Sequence, residues 1–190
     1  MQDGFKMTAL RNNVGIFEER GGTIAWMISN DGIVVVDTQF PDQAVHLIDE
    51  IKKKSTREID LLVNTHHHGD HTAGNIAFKG LVKNHVAHQN AVKNMKATGE
   101  RNKTMDKVLL PNKDFKKQFS KKVGDEKISM NYFGAAHTDG DAIIHFENAN
   151  IAHMGDLLFN RRVPFIDKSA GANIANWQVV LEQAQNYYDN

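Results

Sequence analysis

Four of the chain's ten histidines and an aspartate fall within six positions, 66 to 71, in the run Thr65-His66-His67-His68-Gly69-Asp70-His71-Thr72. Directly before them stands the apolar run Leu61-Leu62-Val63. No other stretch limits the fold as strongly. Imidazole nitrogen and carboxylate oxygen are the donors that hold zinc-like divalent ions at neutral pH. A strand that ends in such a cluster builds a metal site at the rim of a sheet. The spacing His-x-His-x-Asp-His is the anchor for the rest of the chain.

Around that anchor the pattern reads as one domain over 1–190. Hydrophobic content of 41% and charged content of 24% are those of an ordinary soluble globular protein. The turn signal Asn30-Asp31-Gly32 precedes Ile33-Val34-Val35-Val36-Asp37, a run that reads as a strand buried on both faces and closed by an acid. Pro41 opens a helix, with Asp42 in its first turn and Ala44, Leu47, Ile48 and Ile51 as its apolar stripe. His46 lies off that stripe and is read as surface. Residues 59–64 form the next strand, so strand, helix and strand make a βαβ unit with ligands beyond the carboxyl ends of the strands.

Upstream, residues 5–17 and 23–28 read as antiparallel strands separated by Glu18-Glu19-Arg20-Gly21-Gly22. Downstream, the expectation is a short helix over 72–78, a strand over 81–87, a helix over 89–97 and a polar surface crossing over 98–114. Strands follow over 115–123, 127–133, 142–146 and 150–154. A last helix over 173–188 carries Ile174, Trp177, Leu181 and Ala184 at helical spacing.

Formal net charge is zero, so nothing points to a polyanion, and the lysine clusters at 52–54, 116–117 and 121–122 read as solvated faces. The chain has no cysteine. That excludes disulfides and thiolate sites, and leaves any metal to His, Asp and Glu. No apolar run reaches transmembrane length, and the N-terminus lacks the apolar core of a signal peptide. The expected partner is a small molecule, with neither nucleic acid nor membrane. The compartment stays open: periplasmic or secreted if Met1 heads a processed mature chain, cytoplasmic otherwise.

Two later motifs offer further ligands. Ala135-Ala136-His137-Thr138-Asp139-Gly140-Asp141 places His137 at the end of a strand, and Ile151-Ala152-His153-Met154-Gly155-Asp156 places Asp156 just past one. With these in order, the chain resembles the metallo-β-lactamase-fold hydrolase superfamily over nearly its whole length. The resemblance implies an αββα sandwich, with the metals at one edge between the two sheets. It implies that His66, His68 and His137 hold one zinc, that Asp70 and His71 hold a second, and that Asp156 bridges them. Asp37 matches the family's acid at the end of its strand. Zinc is expected before iron or manganese, and since the flavo-di-iron branch of the fold carries glutamate where His68 stands, the resemblance implies hydrolysis rather than redox chemistry.

Three neutral imidazoles leave one tetrahedral position open, as in catalytic rather than structural zinc sites. The chemistry expected is a metal-bound hydroxide attacking a small ester, thioester, lactone, lactam or phosphodiester, with Asp70 orienting it and moving its proton. His67 falls between two ligands and is a candidate substrate contact. So are Arg161 and Arg162, in a tract expected to overhang the site. His88, His145 and His153 are read as structural. The family also carries a last ligand histidine on a strand after the long helix, and no histidine follows His153. The sandwich is therefore expected to be C-terminally short, lacking the last strand and helices, with the second zinc held more weakly. The rival expectation is a metal-binding but catalytically idle module, or half of an assembly completed by another chain. A homo-oligomer covering the open edge is a further expectation.

Overall fold

The structure, a computed structural model, describes residues 4–188. Met1, and with it the question of a processed N-terminus, lies outside the described residues. The chain opens with a meander of four antiparallel strands, β1 (Lys6–Arg11), β2 (Val14–Glu18), β3 (Ile24–Ile28) and β4 (Ile33–Val36). Three parallel strands extend it: β5 (Leu61–Asn64), β6 (His85–His88) and β7 (Lys113–Phe115). Together they form a seven-stranded sheet in sequence order. A second, antiparallel sheet of four strands runs β11 (Ile151–His153), β10 (Ile143–Phe146), β9 (Glu126–Asn131), β8 (Gln118–Val123).

Alternation along the strands sorts side chains into three layers. Val34, Val36, Leu61, Val63 and Val86 point toward Ile128, Met130, Ile144 and Phe146 of the second sheet and form the core between the sheets. Ile33, Val35 and Leu62 point the other way, onto Ala44, Leu47, Ile48 and Ile51 of helix α1 (Pro41–Lys54). Trp177, Val180 and Ala184 of helix α4 (Ile174–Tyr188) cover Ile143 and Ala136 on the outer face of the second sheet. Helix α3 (Gln89–Asn102) packs Ala91 and Met95 against Ala87 of β6. The architecture is the αββα sandwich. Each fully buried aliphatic side chain in these layers contributes about 1.5–3 kcal/mol against exposure.

The elements depart from the sequence expectation in several places. The helix expected over 89–97 runs on to Asn102, into the expected surface crossing over 98–114, and β7 begins inside that crossing at Lys113. Residues 5–17 are two strands, because Asn12 and Asn13 both take positive φ (50° and 64°) and turn the chain in two residues. Residues 81–87 are strand only from His85. The expected 72–78 helix is a 3₁₀ stretch (Ala73–Phe78), entered from a single α turn, α2 (Gly69–Thr72), that begins earlier. The expected strand 115–123 is split between sheets: Phe115 ends β7, and β8 begins at Gln118. Lys116 and Lys117 carry the chain across the gap. Among the described residues, no helix is long and apolar enough to cross a membrane.

Candidate metal centre

Strands β4 and β5 run parallel and finish side by side, so their loops open on the same edge of the sandwich. Just past β4, Asp37 sits at φ 65° and is buried. Just past β5 come Thr65 and the histidines, and α2 then folds back so that His71 returns over Asp37. The Asp37 carboxylate accepts from Thr65 N (2.8 Å), Thr65 Oγ1 (2.8 Å) and His71 Nδ1 (2.8 Å). One buried acid thus ties together three pieces of the rim.

From the other sheet, His137 follows β9 in a turn pinned by Asp141, whose carboxylate accepts from Thr138 N (2.8 Å) and Thr138 Oγ1 (2.6 Å). Burial pushes the Asp141 carboxyl up to about 7 against those bonds. Asp156 follows β11 in a 3₁₀ turn (Gly155–Leu157). Gly155 is at φ 52°, and a Cβ there would lie 2.8 Å from Thr65 Cβ and Oγ1, so only glycine lets this turn close on the β5 tip.

The structure brings His66, His68, His137 and Asp156 together, with one ligand atom of each within 4.8 Å of all the others. His68 Nδ1 lies 3.1 Å from His66 Nε2 and 3.0 Å from His137 Nε2. The edge of a tetrahedron around zinc with Zn–N bonds of 2.0–2.1 Å is about 3.3 Å. The opposite nitrogen of each ring faces an acceptor. His66 Nδ1 lies 3.0 Å from Thr65 Oγ1, whose own proton goes to Asp37. His137 Nδ1 lies 2.9 Å from the Phe165 carbonyl, and His68 Nε2 lies 2.8 Å from Asp167 Oδ2. The outer nitrogens therefore carry the protons, and three lone pairs converge on one point. Such a donor set fits a divalent cation. Burial and the neighbouring imidazoles hold His66 well below its ordinary pKa, and burial lowers His137 too, so both rings stay neutral and ligating.

A second set adjoins the first through Asp156. One carboxylate oxygen, Oδ2, is 3.5 Å from His137 Nε2, and the other, Oδ1, is 3.0 Å from His71 Nε2. Asp70 Oδ2 lies 3.7 Å from the same His71 nitrogen, with its side chain half-exposed. His71 Nε2 is buried, yet has no aligned hydrogen bond. Burial pulls the His71 imidazole down, but Asp37 and Asp156 overcome it and hold it well above the ordinary value. Asp156 is lowered in turn: burial acts to raise it, and the facing His71 outweighs that.

His67 turns away from the converging nitrogens. Its side chain is 8% exposed, Nε2 is 3.9 Å from Asp167 Oδ2 and Nδ1 has no partner. Burial and the adjacent His68 push it down to about 4. Arg161 and Arg162 are exposed on the loop after Asp156 and make no directed contact with the cluster among the described residues. His88 caps α3, bonds the Lys116 carbonyl (2.9 Å) and stacks on Tyr132. His153 bonds the Thr23 carbonyl (2.9 Å), and His145 packs on Tyr188. His46 is on the surface, paired with Glu19.

Sequence reasoning missed Asp167 and the Phe165 carbonyl, which orient His68 and His137. Asp167 also gathers Ser169 and Ala170 into a turn, and its carboxyl sits near 2: burial acts to raise it, and the bonds from His68 and Ser169 prevail. The Asp167-Lys168-Ser169 pattern was the available signal, an acid two residues before a serine that caps its own turn.

The comparisons with known proteins agree with this geometry. The family model described as the metallo-beta-lactamase superfamily matches residues 19–187. Metallo-beta-lactamase IND-1 of Chryseobacterium indologenes is 22% identical over 191 aligned residues, covering 94% of this chain and 75% of that protein. Among solved structures, a metallo-beta-lactamase from Pontibacter korlensis superposes with a TM-score of 0.80 at 17% identity, covering 98% of this chain and 87% of its own. Metallo-beta-lactamase IND-7 gives 0.79 at 20% identity, covering 99% and 87%. Fold and family model together carry one conclusion: the chain belongs to the metallo-beta-lactamase superfamily.

Proposed function

We propose that this protein is a zinc-dependent hydrolase acting on a small ester, thioester, lactone, lactam or phosphodiester. The observation that supports this reading most is the convergence of the His66, His68 and His137 lone pairs, each ring's proton being committed to an acceptor on its far side. In this reading His66, His68 and His137 hold the first ion. Asp70 and His71 would hold a second, and Asp156 would serve both. Zinc so held supplies Lewis acidity and makes water a nucleophile near neutral pH.

The chain's own residues do the rest. Asp70, half-exposed at the rim, accepts a hydrogen bond from the attacking water and takes its proton. The water oxygen bonds to the acyl or phosphoryl centre, the bond to the leaving group breaks, and Asp70 returns the proton to the departing oxygen, sulfur or nitrogen. Asp37 and Asp167 move no proton. Asp167 accepts the outer N–H of His68 and so keeps its inner nitrogen bare, and Asp37 fixes the His71 ring with Nε2 facing Asp156 and Asp70.

Two measurements test the reading. Metal analysis after zinc supplementation is expected to give at least about one equivalent per chain, and less than about half an equivalent sinks the assignment. His68→Ala is expected to lose that metal and any turnover of chromogenic lactam, lactone, thioester and phosphodiester substrates. Full metal content in that variant would show the first site to be misplaced.

A further inference from the structure

On the far side of the His68 ring from the converging nitrogens, two cavities meet. One, of about 240 Å³, is bordered by His68, Asn94, Arg101, Asp167 and Ser169. The other, of about 380 Å³, runs between α2, α3 and the 104–108 turn; Ala73, Ile76, Met95 and Val108 give it an apolar wall, and the exposed, oppositely charged pair Asp106 and Lys107 also lines it. His67, Gly69 and Thr98 line both, so the two are one cleft with a polar mouth and an apolar end.

Three observations mark the cleft as built for a ligand. The His67 side chain, more than nine-tenths buried at the junction of the two cavities, leaves Nδ1 without a partner. A buried ring nitrogen without a hydrogen bond is costly unless something supplies one. Gly69 presents bare backbone to the cleft, and a Cβ there would meet nothing within 4 Å. Arg101, at the mouth, is exposed and reaches only Thr98 Oγ1 in its own helix, by a long 3.4 Å bond, among the described residues. No carboxylate among the described residues pairs with it, and Asp167 across the mouth is already committed to His68, Ser169 and Ala170.

We infer that this cleft binds an amphipathic anion, its apolar chain lying against Ile76, Met95 and Val108 and its anionic head at Arg101, with His67 as a polar contact between them. Charge decides the polarity of the occupant, because the free charge at the mouth is a guanidinium that pairs bidentately with a carboxylate. Burial of the chain supplies the affinity, and the guanidinium fixes the register. The cleft lies behind the His68 ring and takes no lining from His66, His71, His137 or Asp156, so binding there does not depend on the hydrolase reading.

Calorimetric titration of the zinc-supplemented protein with butanoate, hexanoate and octanoate tests the inference. One site is expected, tightening by about fourfold for each added methylene. Thr98→Trp and Gly69→Leu fill the cleft from opposite walls, and each is expected to weaken octanoate at least about tenfold with zinc content and far-UV circular dichroism unchanged. Arg101→Gln is expected to weaken all three carboxylates by a similar factor and leave the chain-length increment intact. The inference is overturned if no binding occurs at millimolar octanoate. It is equally overturned if octanoate binds both filled variants like the parent, or is lost only on zinc removal, which places the carboxylate on the metal. A chain that binds octanoate in the cleft but takes up no zinc keeps this inference and discards the hydrolase reading.

Discussion

Asp167 binds a histidine ring with one oxygen and a turn of backbone with the other, so its removal should register at the metal centre and leave the core unmoved. Asp167→Ala is expected to weaken zinc binding by about ten- to a hundredfold, as losses of outer carboxylate partners typically do, in competition with a chromogenic chelator. Unchanged affinity would mean that His68 is held by packing alone. A histidine away from the cluster contributes to the acid limit of the fold. His85 is buried against Asn64 Oδ1 at 2.7 Å, and burial pushes its pKa down to about 3. Unfolded, it titrates near 6.5, so between those values only the unfolded chain carries the extra proton, and stability falls as pH drops below 6.5. Urea unfolding in chelator at pH 5 and pH 7 should show His85→Gln losing about 2 kcal/mol of the stability difference between those two pH values. An identical difference would place the titration elsewhere. The side chains that meet at the centre are chemically conspicuous in the sequence, since histidine and aspartate at strand ends stand out by type. The groups that aim them are not. Phe165 contributes a carbonyl, which every residue has, and Asp167 is joined to His68 across 99 positions by nothing that spacing reveals.

The elements that read well are those whose local pattern and tertiary environment agree. Ile33–Val36 and Leu61–Val63 are continuous apolar runs, and they occupy the middle of a sheet covered on both faces. The misread elements are those whose bounds depend on a turn or a partner. Asn12 and Asn13 lie inside what looks like one strand, yet both adopt the left-handed backbone that a two-residue hairpin needs. Residues 115–123 keep strand character throughout, but only pairing shows that Phe115 faces His88 in one sheet while Gln118 pairs Asn131 in the other. The turn carrying Asp156 makes a sharper test. Gly155→Ala must accommodate both a left-handed residue and a methyl pressed on Thr65, and is expected to cost about 2 kcal/mol or more in urea unfolding, with zinc affinity falling alongside. A variant as stable as the parent would mean that the turn relaxes freely.

Across the whole molecule, the cation would join the two sheets. His66 and His68 follow β5 of the first sheet, whereas His137 and Asp156 follow β9 and β11 of the second. Free zinc at a hundred times its dissociation constant adds about 2.7 kcal/mol to the unfolding free energy, which for a domain this size is roughly 5–11 °C in Tm. Scanning calorimetry with zinc against chelator reads it directly, and coincident transitions would leave no ion bound to the native state. The loop from Asp156 to Ala170 carries two tasks by separate means. It aligns the ring of His137 through the Phe165 backbone and that of His68 through the Asp167 side chain, while Val163 and Phe165 stand 91% and 62% exposed at the same rim. Position 165 works through its side chain as well as its main chain, since the Phe165 ring meets those of His68 and His137 edge-on at 5.8 Å and 6.3 Å between centroids. Among the described residues position 163 carries no such contact, so randomising it alone is expected to vary the chemistry of the rim while the geometry of the histidine cluster holds.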